Sequence, residues 1–410
     1  MRINIATGGG RFHLLDLARE LEKLGHEVHF YSFTPTRRCM QFGLKRQNCN
    51  SYFIVAIPFL ALYKLTHFGG WAEDIYNWFF DHFMALFMKP CDVFIGHSPI
   101  HNYALRAAKR RFGATVILER GISHVLTQLD ALRSNPANDG KKILSDWHVR
   151  RDLRGYEWAD YISIASQHVV DSFTSHGIPV EKLFKNPYGA RLEHFQPTTL
   201  TTDQPVYDVL MTGQWCHRKG CDLLYQACDE MGLRLLHVGP LRDLPFPQTE
   251  RMHHVDAVDE QQLRNYYSQA RTFVLPSRDE GLALVQAQAM LCGLPLVCSH
   301  YTGGEELRNM LPDKRWVVVM QEYTLPELKR CIQQALALAA TQTGPRNYAG
   351  NALQDLTWEG YAKRYDQFLR SLNREASSPL ISPNCRINNS LPLTSLLLKR
   401  FSSLLSRLSS

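Results

Sequence analysis

No C-x-x-C occurs anywhere in the chain, although it carries ten cysteines. The spacing that holds zinc or runs dithiol exchange is therefore absent. Cys292, Cys298 and Cys331 fall in apolar runs, where a thiol behaves as a small hydrophobe. Reduced and mostly buried cysteines are expected. No block of Lys and Arg is dense enough to mark a nucleic-acid binder, and the net charge of +7 would attract anionic substrates or a phospholipid surface instead. Long apolar runs are missing too: the longest, Tyr52 to Tyr63, is broken by Pro58 and is too short to span a bilayer. The opening MRINIATGGG has too short an apolar run for a signal peptide, so a cytoplasmic protein is expected. A nicotinamide fingerprint is also lacking. Gly10 is followed by Arg11, Phe12 and His13 where G-x-G-x-x-G would continue, and the second strand ends in Ser32 and Phe33 rather than in an acidic residue. A dehydrogenase is disfavoured on that ground.

What the chain does have is a repeated alternation of short apolar runs and helical patterns, over 410 residues that suit two domains. Arg2 to Ala6 reads as a buried strand feeding the glycines Gly8, Gly9 and Gly10. Leu14, Leu15, Leu17, Ala18, Leu21 and Leu24 then recur at helical spacing, and Val28 to Tyr31 is the next strand. Further strands are expected at Asp92 to Gly96, Thr115 to Glu119 and Tyr161 to Ala165. From Gln196 to Asp208 the composition turns to Pro, Thr, Asp and Gln, which reads as a linker. A second series follows, with strands at Val209 to Thr212, Arg234 to Val238, Thr272 to Leu275 and Leu294 to Ser299. Helices are expected at Glu260 to Ala270, Leu325 to Ala340 and Trp358 to Leu372. The expected fold class is α/β, with domains at 1–197 and 206–356, a last helix at 357–372 and a tail at 376–410.

Several stretches bear on chemistry. In Pro276 to Leu307, PSRDEGLALVQAQAMLCGLPLVCSHYTGGEEL, a helix is expected to open at Glu280 and Gly281, where free backbone N–H groups could bind a phosphate or sugar oxygen; the plainer alternative is one βαβ unit of the core. Arg218 and Lys219 precede Gly220 at another helix start, and form either a diphosphate site or a solvated basic turn. His124 lies in LERGISHVLTQ, at the carboxyl edge of the first sheet, where ligands bind in such sheets, although a lone histidine is as readily structural. The aromatic segment 52–88, with Trp71, Tyr76, Trp78, Phe79, Phe80, Phe83 and Phe87, is either a core helix pair or a surface that meets lipid or an apolar acceptor. Residues 376–390 read as unstructured. The tail 391–410 patterns as a basic amphipathic helix for an anionic membrane or a partner, or as a frayed end.

Taken together, GGG…HLLDLARELEKLGHEV, ERGISH, NPYG, GQWCHRKG, PSRDEGLALVQAQAMLCGLPLV with TGGEEL after it, and LTWEGYAKRYDQF resemble glycosyltransferase family 4, the "group 1" transferases of the GT-B fold. The resemblance runs to about Leu372. It implies two Rossmann-like domains with parallel sheets facing a central cleft, and a last helix crossing back to the first domain. It implies a retaining hexosyltransferase of polysaccharide biosynthesis, using a UDP- or GDP-sugar as co-substrate and no other cofactor. By position it makes Glu280, Lys219 and His124 the catalytic candidates. Gly8, Gly9, Arg218, Gly281, Leu282, Ala283, Leu284 and Gln288 become the donor-binding candidates, with the N–H groups of 281–284 facing the sugar and phosphates. No D-x-D occurs, so a metal-independent reaction and no metal ligands are expected. The acceptor would be a glycan or a lipid-linked sugar, with peripheral contact at the inner face of the plasma membrane through 52–88 and 391–410 as an open reading.

Two positions depart from the family pattern. Gln288 replaces the second Glu of E-x7-E and loses a charge-assisted bond worth roughly 1 kcal/mol. Gln214 stands where an arginine often follows the phosphate-loop glycine, which leaves that charge to Arg218 and Lys219. These departures keep open a nucleotide-sugar-binding scaffold without transferase activity. A nucleotide-sugar 2-epimerase would need extra carboxylates at the sugar carbon, and the first domain shows no such cluster.

Overall fold

The computed structural model describes residues 1–8, 13–66, 71–139, 143–191, 195–197, 206–342 and 346–377. Two parallel sheets dominate it. The first is built from β1 (Arg2–Ala6), β2 (Glu27–Ser32), β3 (Cys49–Ser51), β4 (Val93–His97), β5 (Thr115–Glu119), β6 (Tyr161–Ile164) and β7 (Leu183–Lys185). Their order is β3-β2-β1-β4-β5-β6-β7, with Ile3 opposite Val28 on one side and Val93 on the other. The second sheet contains β8 (Tyr207–Thr212), β9 (Leu235–Val238), β10 (Met252–Val255), β11 (Ala270–Leu275), β12 (Leu296–Cys298) and β13 (Val317–Val319), in the order β10-β9-β8-β11-β12-β13. Central strands read as continuous apolar runs because helices cover both faces: Ile3, Ile5, Phe94, Ile95, Val209, Leu210, Phe273 and Val274 are wholly buried. Strand order reverses between β1 and β4 and again between β8 and β11, and the crevice beyond the carboxyl ends of such a pair is where α/β sheets bind ligands.

The expected central strands are all present. The four that sequence reading missed, β3, β7, β10 and β13, are the edges of the two sheets. Each is three or four residues long, and the first three mix polar with apolar residues, so no buried run announces them. In the segment after β11 the helix spans Leu284–Leu291, with Ala283 as its cap. The helix start expected at Glu280 and Gly281 is therefore displaced: the Glu280 amide donates to the Tyr301 carbonyl at 2.9 Å and the Ala283 amide to the Thr302 carbonyl at 3.2 Å. Both bonds tie 280–283 to the loop after β12 and hold it out of the helix.

The aromatic segment forms helices Phe53–Thr66 and Trp71–Phe87. Phe80 is buried against Phe33 and Ala56, with Tyr76 and Phe79 packed around them, so this part of the segment is core. Ile54 and Phe87 remain 81% and 61% exposed. Nine of the ten cysteines lie among the described residues, none of them in a disulfide there and eight of them buried. The last helix, Trp358–Ser377, runs past its expected end at Leu372. The chain divides into compact units Met1–Gln367 and Phe368–Ser410; both sheets belong to the first. In that unit the last helix begins by delivering the hydroxyls of Tyr361 and Tyr365 to the wholly buried Glu119 carboxylate, at 3.0 and 2.8 Å. The expected helix at 391–410 lies outside the described residues. Among the described residues, no helix is long and apolar enough to cross a membrane.

Candidate active site at the strand-order reversal of the second sheet

The loop after β8 ends in a 3-10 turn, His217–Lys219, closed by Gly220 in the left-handed region (φ 71°). Glycine is required there twice over. A side chain would be strained at that φ, and its Cβ would lie 2.0 Å from the Pro276 carbonyl oxygen. The absence of a side chain lets the loop after β8 press against the loop after β11, where the Arg278 amide donates to the Arg218 carbonyl at 2.8 Å.

That contact brings the charges together. Arg218 Nη1 lies 2.8 Å and Lys219 Nζ 2.5 Å from Glu280 Oε1, while Arg218 also donates to the Asp279 carbonyl at 2.7 Å. Burial alone would raise the Glu280 carboxyl. The charges of Lys219 and Arg218 and their hydrogen bonds outweigh it and hold the group below the ordinary carboxylate range. The result is a carboxylate between two cations at the C-terminal edge of the sheet, arranged to meet anionic oxygens with the cations and hydroxyls with the acid.

Residues 279–282 form a strap against the first sheet. Gly281 lies so close that a Cβ there would sit 2.2 Å from the Gly121 carbonyl oxygen. Ser166 Oγ donates to the Gly281 carbonyl and His168 Nε2 to the Glu280 carbonyl, both at 2.5 Å. The amides of Gly281, Leu282 and Leu284 meet no acceptor among the described residues, whereas that of Ala283 is already donated to Thr302. An Ala283 amide facing a sugar or phosphate is therefore not what this arrangement provides. Gln288, on the following helix, accepts from Tyr267 Oη at 3.2 Å.

The other candidates fall elsewhere. Gly8 follows β1, with Ile100 packed over its Cα; Gly9 lies outside the described residues. His124 caps helix Val125–Arg133, its Nδ1 accepting from the Leu126 amide at 3.4 Å. Its ring packs against Tyr156, Phe173 and His176. Burial, with the nearby His176 and Arg120, pushes its pKa down to about 3, so it is a neutral capping group, and the structural alternative describes it. Sequence reading missed Ser166, His168 and Asp279. The first two lie just beyond β6, at the same carboxyl edge that drew notice to His124, so the same rule could have found them. Among the described residues no group of three His, Cys, Asp or Glu side chains is placed to hold a metal ion.

Two parallel Rossmann-like sheets facing a cleft, with a basic turn and an acidic strap at the reversal point of the second, define a GT-B protein. Residues 7–192 match the family described as Glycosyltransferase Family 4, and residues 207–337 match Glycosyl transferases group 1. The chain belongs to this glycosyltransferase family. It is 30% identical to the glycogen synthase of Thermus thermophilus over 169 residues, which cover 38% of this chain and only 37% of that enzyme. Among solved structures it is similar to sucrose-phosphate synthase from Thermosynechococcus elongatus, with a TM-score of 0.62 and 17% identity over 91% of this chain and 99% of that one. It is also similar to Anabaena HepE in complex with UDP and glucose, with a TM-score of 0.59 and 14% identity over 90% of this chain and all of that one.

Proposed function

We propose that this protein transfers a hexosyl unit from a UDP- or GDP-sugar to a glycan or lipid-linked acceptor, with retention of configuration and without a metal ion. The observation that carries the reading is the placement of Arg218 and Lys219 on Glu280 at the reversal point of the second sheet. In the reaction the bond from the sugar C1 to the diphosphate oxygen breaks, a bond from C1 to the acceptor oxygen forms, and the acceptor's proton passes to the departing phosphate. Negative charge grows on the diphosphate, and fixed cations stabilise it most in the transition state. Arg218 and Lys219 would exchange their contact with Glu280 for the diphosphate, which frees the carboxylate to accept hydroxyls of the transferred sugar. The amides of Gly281, Leu282 and Leu284, which meet no acceptor among the described residues, add donors beside it. HepE, a protein of the same fold, was solved with UDP and glucose bound, which supports a nucleotide-sugar donor here. The exposed Ile54 and Phe87 support peripheral contact with a membrane that carries a lipid-linked acceptor.

The test is a panel of UDP- and GDP-sugars offered with EDTA present, with thermal shift reporting donor binding and NMR the anomeric configuration of the product. Glu280→Ala and Lys219→Ala should each lower turnover by about 10²- to 10³-fold. Unchanged turnover in both variants would sink the site assignment. Donor binding without transfer would favour the scaffold, and an inverted product would end the retaining mechanism.

A further inference from the structure

Two histidines stand side by side on the two strands outside β8. His237 of β9 and His254 of β10 are partners in the parallel ladder, and their rings stack with centroids 5.1 Å apart and planes 13° from parallel. Trp215 packs against His237, and Phe246 against both, with uncharged rings. His237 is wholly buried, and buried polar atoms are normally paired. Its Nε2 lies 2.8 Å from the Gly213 carbonyl oxygen and its Nδ1 3.0 Å from Nδ1 of His254. The far nitrogen of His254, Nε2, is 3.4 Å from Asp256 Oδ1.

These contacts fix where the protons sit. Burial, aided by His254 and opposed by the bond to Gly213, pushes His237 down to about 4, so its ring is neutral and carries one proton. A carbonyl oxygen only accepts, which places that proton on Nε2 and makes Nδ1 of His237 the acceptor of Nδ1–H from His254. The peptide after Gly213 is held as a result. A trans peptide directs its N–H opposite its C=O, so a bond that anchors the Gly213 oxygen toward β9 also sets the direction of the Gln214 N–H. Linked hydrogen bonds strengthen one another, and the same bond makes that N–H a better donor. A Cβ on Gly239 would lie 2.0 Å from the Gly213 oxygen, so the glycine there lets β9 close on it. The Gln214 amide meets no acceptor among the described residues and belongs to a half-buried residue, while a Cβ on Gly213 would lie 4.0 Å from Lys219 Nζ. An oriented donor that lacks an acceptor, on a peptide next to a cation, points to an anionic oxygen.

We propose that His237 and His254 are positioning residues, and that the Gln214 N–H they aim binds the diphosphate of the nucleotide-sugar beside Lys219. The role of that amide rests on the transferase reading; the proton positions on the two histidines do not.

The full chain is titrated with UDP and with GDP by calorimetry, and long-range proton–nitrogen NMR of the imidazoles reads their tautomers. At about pH 8, where neutral rings prevail, His237 should carry its proton on Nε2 and His254 on Nδ1. His237→Leu should weaken the nucleotide that the wild type binds by about tenfold, and His237→Gln, which keeps a side-chain N–H for the Gly213 oxygen, should recover most of that loss. The proposal is overturned if either histidine carries its proton on the other nitrogen, if His237→Leu binds as the wild type does, or if His237→Gln binds no better than His237→Leu, which would reduce His237 to packing. A wild type that binds neither nucleotide while showing both tautomers as stated would defeat the donor reading, and the role of Gln214 with it, and leave the histidine arrangement standing.

Discussion

Adjacent carboxylates at 279 and 280 have opposite fates. Glu280 is held ionised by Lys219 and Arg218, whereas burial lifts Asp279 to about 6 against the pull of the Ser123 hydroxyl, Arg120 and Arg218. A proton bound more tightly in the folded chain gives stability that is full below the ordinary carboxyl pKa and is lost as pH rises from about 4 through about 6. Asp279→Asn removes that loss. Its unfolding free energy should exceed the wild type's near pH 7.5, by an amount on the order of 2–3 kcal/mol, and converge with it near pH 4. Equal free energies at both pH values would show that the buried charge is fully compensated. Arg218 and Lys219 stood out in the sequence as paired cations before a glycine, and the family resemblance drew Glu280 to them. The contrast with Asp279 was not legible, since burial depends on what the first sheet brings to the other side of the strap. Nor does sequence pattern separate a histidine in solvent from His124, which a tyrosine, a phenylalanine and a second histidine surround.

The strap itself works through its lack of a side chain. At Gly281 a Cβ would lie 2.2 Å from a backbone oxygen of Gly121, and neither backbone can yield as a flexible side chain would. Gly281→Ala should push the strap off Ser166 and His168 and carry Glu280 with it, lowering turnover by about 10- to 100-fold with a smaller loss in melting temperature. Wild-type turnover in this variant would show that the contact is not needed for catalysis. Central strands could be read from the sequence because burial on both faces forces continuous apolar runs. The edge strands could not, and the helix start was misplaced because the bonds from Glu280 and Ala283 to Tyr301 and Thr302 reach across to another loop.

Across the molecule, the first sheet and the last helix meet at one buried acid. Glu119 accepts from His13 Nε2 at 2.9 Å as well as from Tyr361 and Tyr365, joining the first helix, β5 and the end of the chain's compact unit. Glu119→Ala leaves two buried tyrosine hydroxyls without this acceptor and should lower stability by about 3 kcal/mol or more in urea denaturation. A loss below about 1 kcal/mol would mean that water or a neighbour replaces the carboxylate. The last helix itself was legible in the sequence, and its return was implied only by the family resemblance; its anchor was not legible, because Glu119 looks like any acidic residue closing a strand.

The same node governs how the chain reaches its native state. β1 pairs with β4, so the middle of the first sheet waits for Val93–His97 to be synthesised, and non-local parallel pairing of this kind folds slowly. Glu119 waits longer still, since two of its donors lie on the helix that opens at Trp358. Throughout translation the nascent first half carries a carboxylate at the end of a core strand with its tyrosine donors unmade. Residues 1–197 expressed alone would keep it in that condition, since the helix that supplies both hydroxyls opens at Trp358.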